Sequence, residues 1–235
     1  MIIAIDGPSG AGKSTVAKAV AKRLGFSCLD TGAMYRAIAW RALEDGVALD
    51  DEDGLGRIAR TCEISFGHVE GDPLPKRVFI DGVEVTDAIR TARIDKAVSP
   101  TSAAPSVRTA LVDQQRRIGA GGDFVVEGRD IGTVVFPDAA VKVFLTASDE
   151  ERAHRRVRQN VDRGIGSIDY EEGLADLRRR DEADSSRATS PLVAAEDAVR
   201  IDSTSHYIEE VIDEICALAD VARDEGRADA GARAE

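Results

Sequence analysis

The sequence predicts an α/β fold with three α/β/α layers on a central parallel sheet, a small inserted antiparallel β segment and an added charged helical stretch. Three observations predict it. An apolar run, Met1–Asp6 (MIIAID), passes through a glycine-rich loop straight into a helical pattern on Val16, Ala17, Val20, Ala21 and Leu24. Phe124-Val125-Val126, Val141-Lys142-Val143-Phe144-Leu145 and the shorter Ala198-Val199-Arg200-Ile201 are candidates for buried parallel strands. Between these parts, 62–66, 77–81 and 83–85 are short alternating segments divided by Gly71-Asp72-Pro73 and Asp81-Gly82, the pattern of an antiparallel meander rather than a crossover.

Taken in order, Gly25 to Asp30 reads as a turn and a second short strand. Thr31-Gly32 opens a helix from Ala33 to Glu44, with Tyr35, Ile38, Ala39, Ala42 and Leu43 on one side and Gly46 closing it. A short helix starts among the acids near 50–60. After the meander, helices are expected at about 91–99 and 105–118, separated by Ser99-Pro100 and Pro105. The stretch 149–188 is helical and rich in both charges, with Glu150-Glu151-Arg152 at its start and Gly164 and Gly166 as flexible points. A last amphipathic helix is expected over 205–222 on Ile208, Val211, Ile212, Ile215 and Leu218. The tail from Arg223 is alanine, glycine and charge, and disorder is expected there.

At 235 residues, the chain can bury a full core. Its net charge of −12 argues against a large nucleic-acid footprint. Yet arginine outnumbers lysine 25 to 6, so the positive charge is of the kind that grips phosphate. Either an anion-binding cleft or a genome rich in arginine codons explains that bias. Cys28, Cys62 and Cys216 have no disulfide or zinc spacing, and a reducing cytoplasm fits. No apolar run is long enough to cross a membrane, and Met1–Asp6 is too short for a signal peptide. A soluble, cytoplasmic monomer is expected.

The chemistry begins at Gly7-Pro8-Ser9-Gly10-Ala11-Gly12-Lys13-Ser14-Thr15, which carries G-x-x-x-x-G-K-S between a strand and a helix. Gly7, Gly10 and Gly12 give the backbone freedom to turn successive N–H groups towards an anion. Lys13 reaches the β- and γ-phosphates, and the Ser14 hydroxyl faces Mg²⁺. A nucleoside triphosphate with Mg²⁺ is implied, but not yet its fate.

A guanine-reading switch usually carries Asn-Lys-x-Asp, and the single asparagine here, Asn160, is followed by Val161. A motor needs more chain. What remains is a kinase for a small acceptor, with a nucleotide-gated regulator as the competitor from another class. Thr31 to Arg36 follows the second strand, at the edge beside the phosphate loop, and Glu127-Gly128-Arg129-Asp130 follows a buried strand, where α/β sheets bind ligands. Arg180, Asp184 and Arg187 are spaced by four and three, on one helical face, where a solvated ion-pair ladder is the plainer reading. His68, His154 and His206 form no constellation.

Over roughly residues 2–222 the chain resembles the bacterial cytidylate kinases, P-loop nucleoside monophosphate kinases. The resemblance lies in IDGPSGAGKST at 5–15, LDTGAMYR at 29–36, EGRDIGTVVFPDA at 127–139, ERAHRR at 151–156, RRRDEADSSRATSPL at 178–192 and IDST at 201–204. It implies transfer of the γ-phosphoryl group of ATP to CMP or dCMP. It also implies a core of 1–31, 120–148 and 189–222, an acceptor-binding domain at 32–119 with its β insertion at about 62–90, a lid at 149–188 and a tail at 223–235. By similarity, Arg36 and Arg129 hold the acceptor phosphate beside Thr31, Arg180 and Asp184 meet the sugar, and Arg187 belongs to the closing lid. Ser99, Arg108 and Asp130 match the positions that read cytosine. Ser14 and, through water, Glu127 match the Mg²⁺ positions, and Glu127 is the departure, an acid that alternates with Asp before Gly128. Lys13, Arg129, Arg180 and Arg187 are the residues expected to act on the transferring group. The β insertion with the Ser99, Arg108 and Asp130 set separates this reading from a shikimate-type kinase, which needs neither.

Overall fold

The computed structural model describes residues 1–69, 72, 74–162 and 169–232. Gly71 and Pro73 of the anticipated turn, and Gly164 and Gly166 of the charged stretch, lie outside the described residues. Strands β1 (Ile2–Asp6), β2 (Ser27–Asp30), β6 (Phe124–Glu127), β7 (Val141–Thr146) and β8 (Val199–Asp202) form one parallel sheet in the order β2-β6-β1-β7-β8. The second strand was expected beside the phosphate loop, but β6 lies between it and β1. That insertion pairs Ile5 with Glu127 and Asp30 with Glu127, so the acids ending β2 and β6 are neighbours.

The strand period of two divides the core. Ala4, Leu29 and Val126 face helices α2 (Thr31–Glu44), α3 (Glu52–Thr61) and α5 (Pro105–Gly119). Ile3, Ile5, Val125, Val143 and Leu145 face helices α1 (Lys13–Leu24) and α8 (Ile208–Ala232). Burying both faces is what makes the central strands β1 and β6 nearly unbroken apolar runs in the sequence. The meander is present as β3 (Ile64–Gly67), β4 (Arg77–Ile80) and β5 (Val83–Glu84), antiparallel in that order. Asp81 and Gly82, at φ 49° and 76°, make its tight turn.

Three expectations need correction. Helix α4 (Ala92–Ala103) continues through Pro100 instead of stopping before it. Thr101 donates its hydroxyl to the Ala97 carbonyl at 2.9 Å beside that proline, and the break falls at Ala104, extended before Pro105 as a residue preceding proline should be. The charged stretch is two helices, α6 (Asp149–Asp162) and α7 (Tyr170–Ser185). Arg187 lies beyond the Ser186 cap of α7, so it shares no helical face with Arg180 and Asp184. Finally, α8 runs on to Ala232, where disorder was expected from Arg223. Alanine, arginine and glutamate are good helix formers, and they carry the helix on past the fully buried Ala219.

Candidate active site

The phosphate loop is set by its packing as much as by its freedom. Gly7 has φ 145°, and a Cβ there would lie 2.0 Å from the Leu145 carbonyl oxygen of β7. Lys13, buried at the start of α1, donates from Nζ to the Pro8 carbonyl at 2.7 Å and so closes the loop. Burial and then the neighbouring Arg129 guanidinium push its ammonium down from the ordinary lysine value. Gly12 caps α1 without a side chain, so no side-chain oxygen occupies that helix N-terminus. Ser14 donates its hydroxyl to Glu127 Oε2 at 2.8 Å. Glu127 Oε1 is buried without a hydrogen-bond partner among the described residues. Burial, then the Asp30 charge beside it in the sheet, push the Glu127 carboxyl up.

Across the sheet end, Asp6 accepts from the backbone N–H groups of Ile131 and Gly132, at 2.8 Å each. This draws a π-helical turn, Ile131–Val135, against β1 and fixes the preceding Arg129 and Asp130. Arg129 donates from Nε to Asp184 Oδ2 at 2.9 Å. Asp130 pairs with Nη2 of Arg108, whose Nη1 donates to the Ser102 carbonyl at 3.1 Å. Both partners are at least nine-tenths buried, and the Arg108 guanidinium lies over the Tyr35 ring at 5.4 Å. Burial pushes the Tyr35 phenol up to about 12, so it stays neutral there. Nε of Arg108 is buried with no partner among the described residues.

A third cluster joins α2, α4, α6 and α7. Arg36 Nη1 lies 2.5 Å from Asp95 Oδ1, Arg156 meets Asp95 Oδ2, and Arg180 donates to the Asp95 carbonyl at 2.7 Å. Arg187 donates from Nε to the Asp184 carbonyl at 3.2 Å.

These parts line one cleft of about 660 Å³ whose basic side chains outnumber its acidic ones. Of the residues named from the sequence, Ser9, Gly10, Gly12, Lys13, Ser14 and Thr15 form its floor with Glu127. Thr31, Arg36, Ser99, Arg108, Arg129 and Asp130 line it on another side, and Arg180, Asp184 and Arg187 line it from α7 and the loop beyond. Gly7, Pro8 and Ala11 stand outside the lining: Gly7 packs on β7, while the carbonyls of Pro8 and Ala11 accept from Lys13 and Arg155. Thr31 spends its hydroxyl on the Glu127 carbonyl at 2.7 Å. Arg180 and Asp184 face this cleft rather than a solvated ladder.

Sequence reasoning missed Arg152, Arg155 and Arg156. Arg152 donates to the Ser9 carbonyl at 3.0 Å, and Arg155 to the Ala11 carbonyl at 3.2 Å, so α6 is tied directly to the phosphate loop. Their spacing in ERAHRR, three and four apart, was the available signal. Arg155 also borders a second cavity, of about 180 Å³, lined with Gly12, Thr15, Ser203, His206 and Ile208. Among the described residues, no group of three or more His, Cys, Asp or Glu side chains could hold a metal ion, and no helix is long and apolar enough to cross a membrane.

Comparison with known proteins agrees with this geometry. A family model described as Cytidylate kinase matches residues 3–221. A cytidylate kinase of Limosilactobacillus fermentum is 50% identical over 213 residues, covering 91% of this chain and 92% of the relative. One of Desulfitobacterium hafniense is 49% identical over 216 residues, covering 92% and 91%. A solved structure of an uncharacterized protein from Eubacterium ventriosum superposes with a TM-score of 0.51 at 13% identity, covering 94% of this chain and 98% of the other, and shares the fold alone.

Proposed function

The chain belongs to the cytidylate kinase family, and from that premise we propose how its cleft divides the work of moving the γ-phosphoryl group of ATP to CMP or dCMP. The products are ADP and CDP or dCDP. The acceptor's phosphate is already an anionic nucleophile, so the protein has to align two polyanions and neutralise them. No general base is required, which suits a cleft lined by arginine.

The phosphate loop holds the donor. Its N–H groups and Lys13 embrace the β- and γ-phosphates, and the phosphate charge restores the proton affinity that burial takes from Lys13. The base of ATP fits the second cavity, across Gly12 beneath Arg155. Ser14 and Glu127 suit Mg²⁺: Glu127 Oε1 is a buried acceptor without a partner, placed to accept from water bound to the ion. Mg²⁺ would neutralise phosphate charge and orient the triphosphate. Arg36 and Arg129 hold the acceptor phosphate, Arg180 and Asp184 the sugar, and Arg187 follows the transferring charge. Closure of α6 and α7 excludes water that would otherwise hydrolyse ATP.

The single observation that carries the cytosine reading is the buried Arg108–Asp130 pair on the wall of the cleft that holds Lys13. A carboxylate accepts from the exocyclic amine of cytosine, whereas uracil offers an acceptor at that position and is repelled. A site with buried polar readers rejects the wrong base strongly, because the wrong base leaves them unpaired. The test is ADP release from ATP and Mg²⁺ with CMP, dCMP, UMP, AMP, GMP or shikimate offered separately. Turnover confined largely to CMP and dCMP is expected; equal turnover with UMP would sink the reading of Asp130.

A further inference from the structure

Asp95 has no part in the division of labour above, and its side chain does not line the cleft. Yet three arginines that do line it converge on this residue from three helices. Arg36 comes from α2, Arg156 from α6 and Arg180 from α7, while Asp95 itself belongs to α4. Arg36 also donates from Nη1 to the Ile89 carbonyl at 3.4 Å. Each carboxylate oxygen serves one guanidinium and the main-chain carbonyl serves the third.

Three guanidinium groups this close repel one another, and a wall of repelling cations fans out unless an anion holds it. Asp95 is the only acid among the described residues paired with Arg36 or Arg156, and its carboxylate is only 16% exposed. Burial opposes its charge, and the Arg36 and Arg156 guanidiniums outweigh burial, holding the carboxyl below the ordinary aspartate value. The arrangement also spans the acceptor side and the lid as proposed above. Arg36 stands on the acceptor side, while Arg156 and Arg180 stand on the two helices of the lid.

We infer that Asp95 is a positioning residue that binds the acceptor-side Arg36 to Arg156 and Arg180 of the lid, so that acceptor binding and lid closure are assembled as one unit. The inference rests on the reading that Arg36 and Arg180 face the acceptor nucleotide. Anchoring each guanidinium to Asp95 through one nitrogen leaves further N–H groups on three arginines that line the cleft, where an acceptor phosphate and sugar are to be held. The opposite assignment, Asp95 as an internal anion that the acceptor phosphate must displace, conflicts with its place outside the lining.

The two assignments predict opposite signs. Asp95→Asn keeps the volume and removes the charge, and should raise KM for CMP about tenfold with a comparable fall in kcat, because misplacement by about 1 Å is costly. Asp95→Glu, which restores the charge, should recover part of the loss. Arg156→Ala should harm the wild-type protein and do much less on the Asp95→Asn background, since the two act through one pair. A fall in KM for CMP would overturn the inference in favour of a displaced anion. A lower melting temperature with kcat and KM unchanged would overturn it in favour of a purely structural role, as would independent multiplication of the Asp95 and Arg156 effects. Arg36→Ala is measured alongside. If that variant binds CMP normally, the reading of the acceptor site fails; if it loses CMP while Asp95→Asn is silent, only the inference about Asp95 fails.

Discussion

The carboxylate of Asp6 accepts the backbone N–H of Gly132 at 2.8 Å, and its other oxygen accepts that of Ile131 at the same distance. The strand that feeds the phosphate loop thereby fixes the segment carrying Arg129 and Asp130. Burial pushes this carboxyl up to about 6 from an ordinary 3.8, with the two N–H bonds opposing burial. Between those values the folded chain holds more protons than the unfolded one, so the contribution of this group to stability falls as pH rises through that window and is level above it. The stability of the wild type relative to Asp6→Asn should therefore decline from pH 4 to 6, by at most about 1.4 kcal/mol per pH unit, and then stay constant to pH 8. Urea unfolding at several pH values checks this; a gap that widens with pH would mean that the N–H pair outweighs burial.

Gly7→Ala and Gly25→Ala should separate packing from backbone strain. Both positions have positive φ, but a Cβ at Gly7 meets the Leu145 carbonyl, whereas one at Gly25 meets nothing within 4 Å. The Gly25 variant should lose about 1 kcal/mol, the cost of left-handed backbone alone. The Gly7 variant should lose about 3 kcal/mol or more and also bind ATP poorly, because overpacking must displace β7 or the loop. Thermal melts with and without ATP distinguish them.

Lys13→Ala and Arg129→Ala should fail differently. Without Lys13, ATP affinity and turnover should both fall. Without Arg129, ATP binding by calorimetry should persist while kcat drops by about 10²- to 10³-fold, the scale for losing one preorganised cation at the reacting group. A nucleotide-gated regulator would show no such split.

Glu127→Gln should raise the Mg²⁺ concentration for half-maximal turnover by about tenfold, since a neutral amide is a weaker partner for metal-bound water. An unchanged Mg²⁺ titration would remove Glu127 from the metal's surroundings.

What the sequence made legible was local. The glycine loop, the β meander and the buried strands are each written in a few consecutive residues, and each is present. Contacts between distant residues left no such trace. Asp6 and Gly132, Arg108 and Asp130, and Arg36 and Asp95 meet only because β6 inserts between β1 and β2 and because α4 and α5 fold back over the cleft. Pro100 misled for a related reason. A proline signals a helix end by its missing N–H, yet α4 absorbs it and stops only where Ala104 meets Pro105. Arg187 shows the limit of spacing arguments, because a three-residue interval has meaning only while the helix continues.

The most direct test of the account is the ratio of kcat/KM for CMP over UMP in the wild type and in Asp130→Ala. The account predicts a high ratio in the wild type, reduced about a hundredfold or more in the variant, through loss of CMP turnover together with a rise for UMP as the repelling carboxylate is removed. A ratio that survives the substitution would contradict the assignment of the Arg108–Asp130 pair as the reader of the acceptor base.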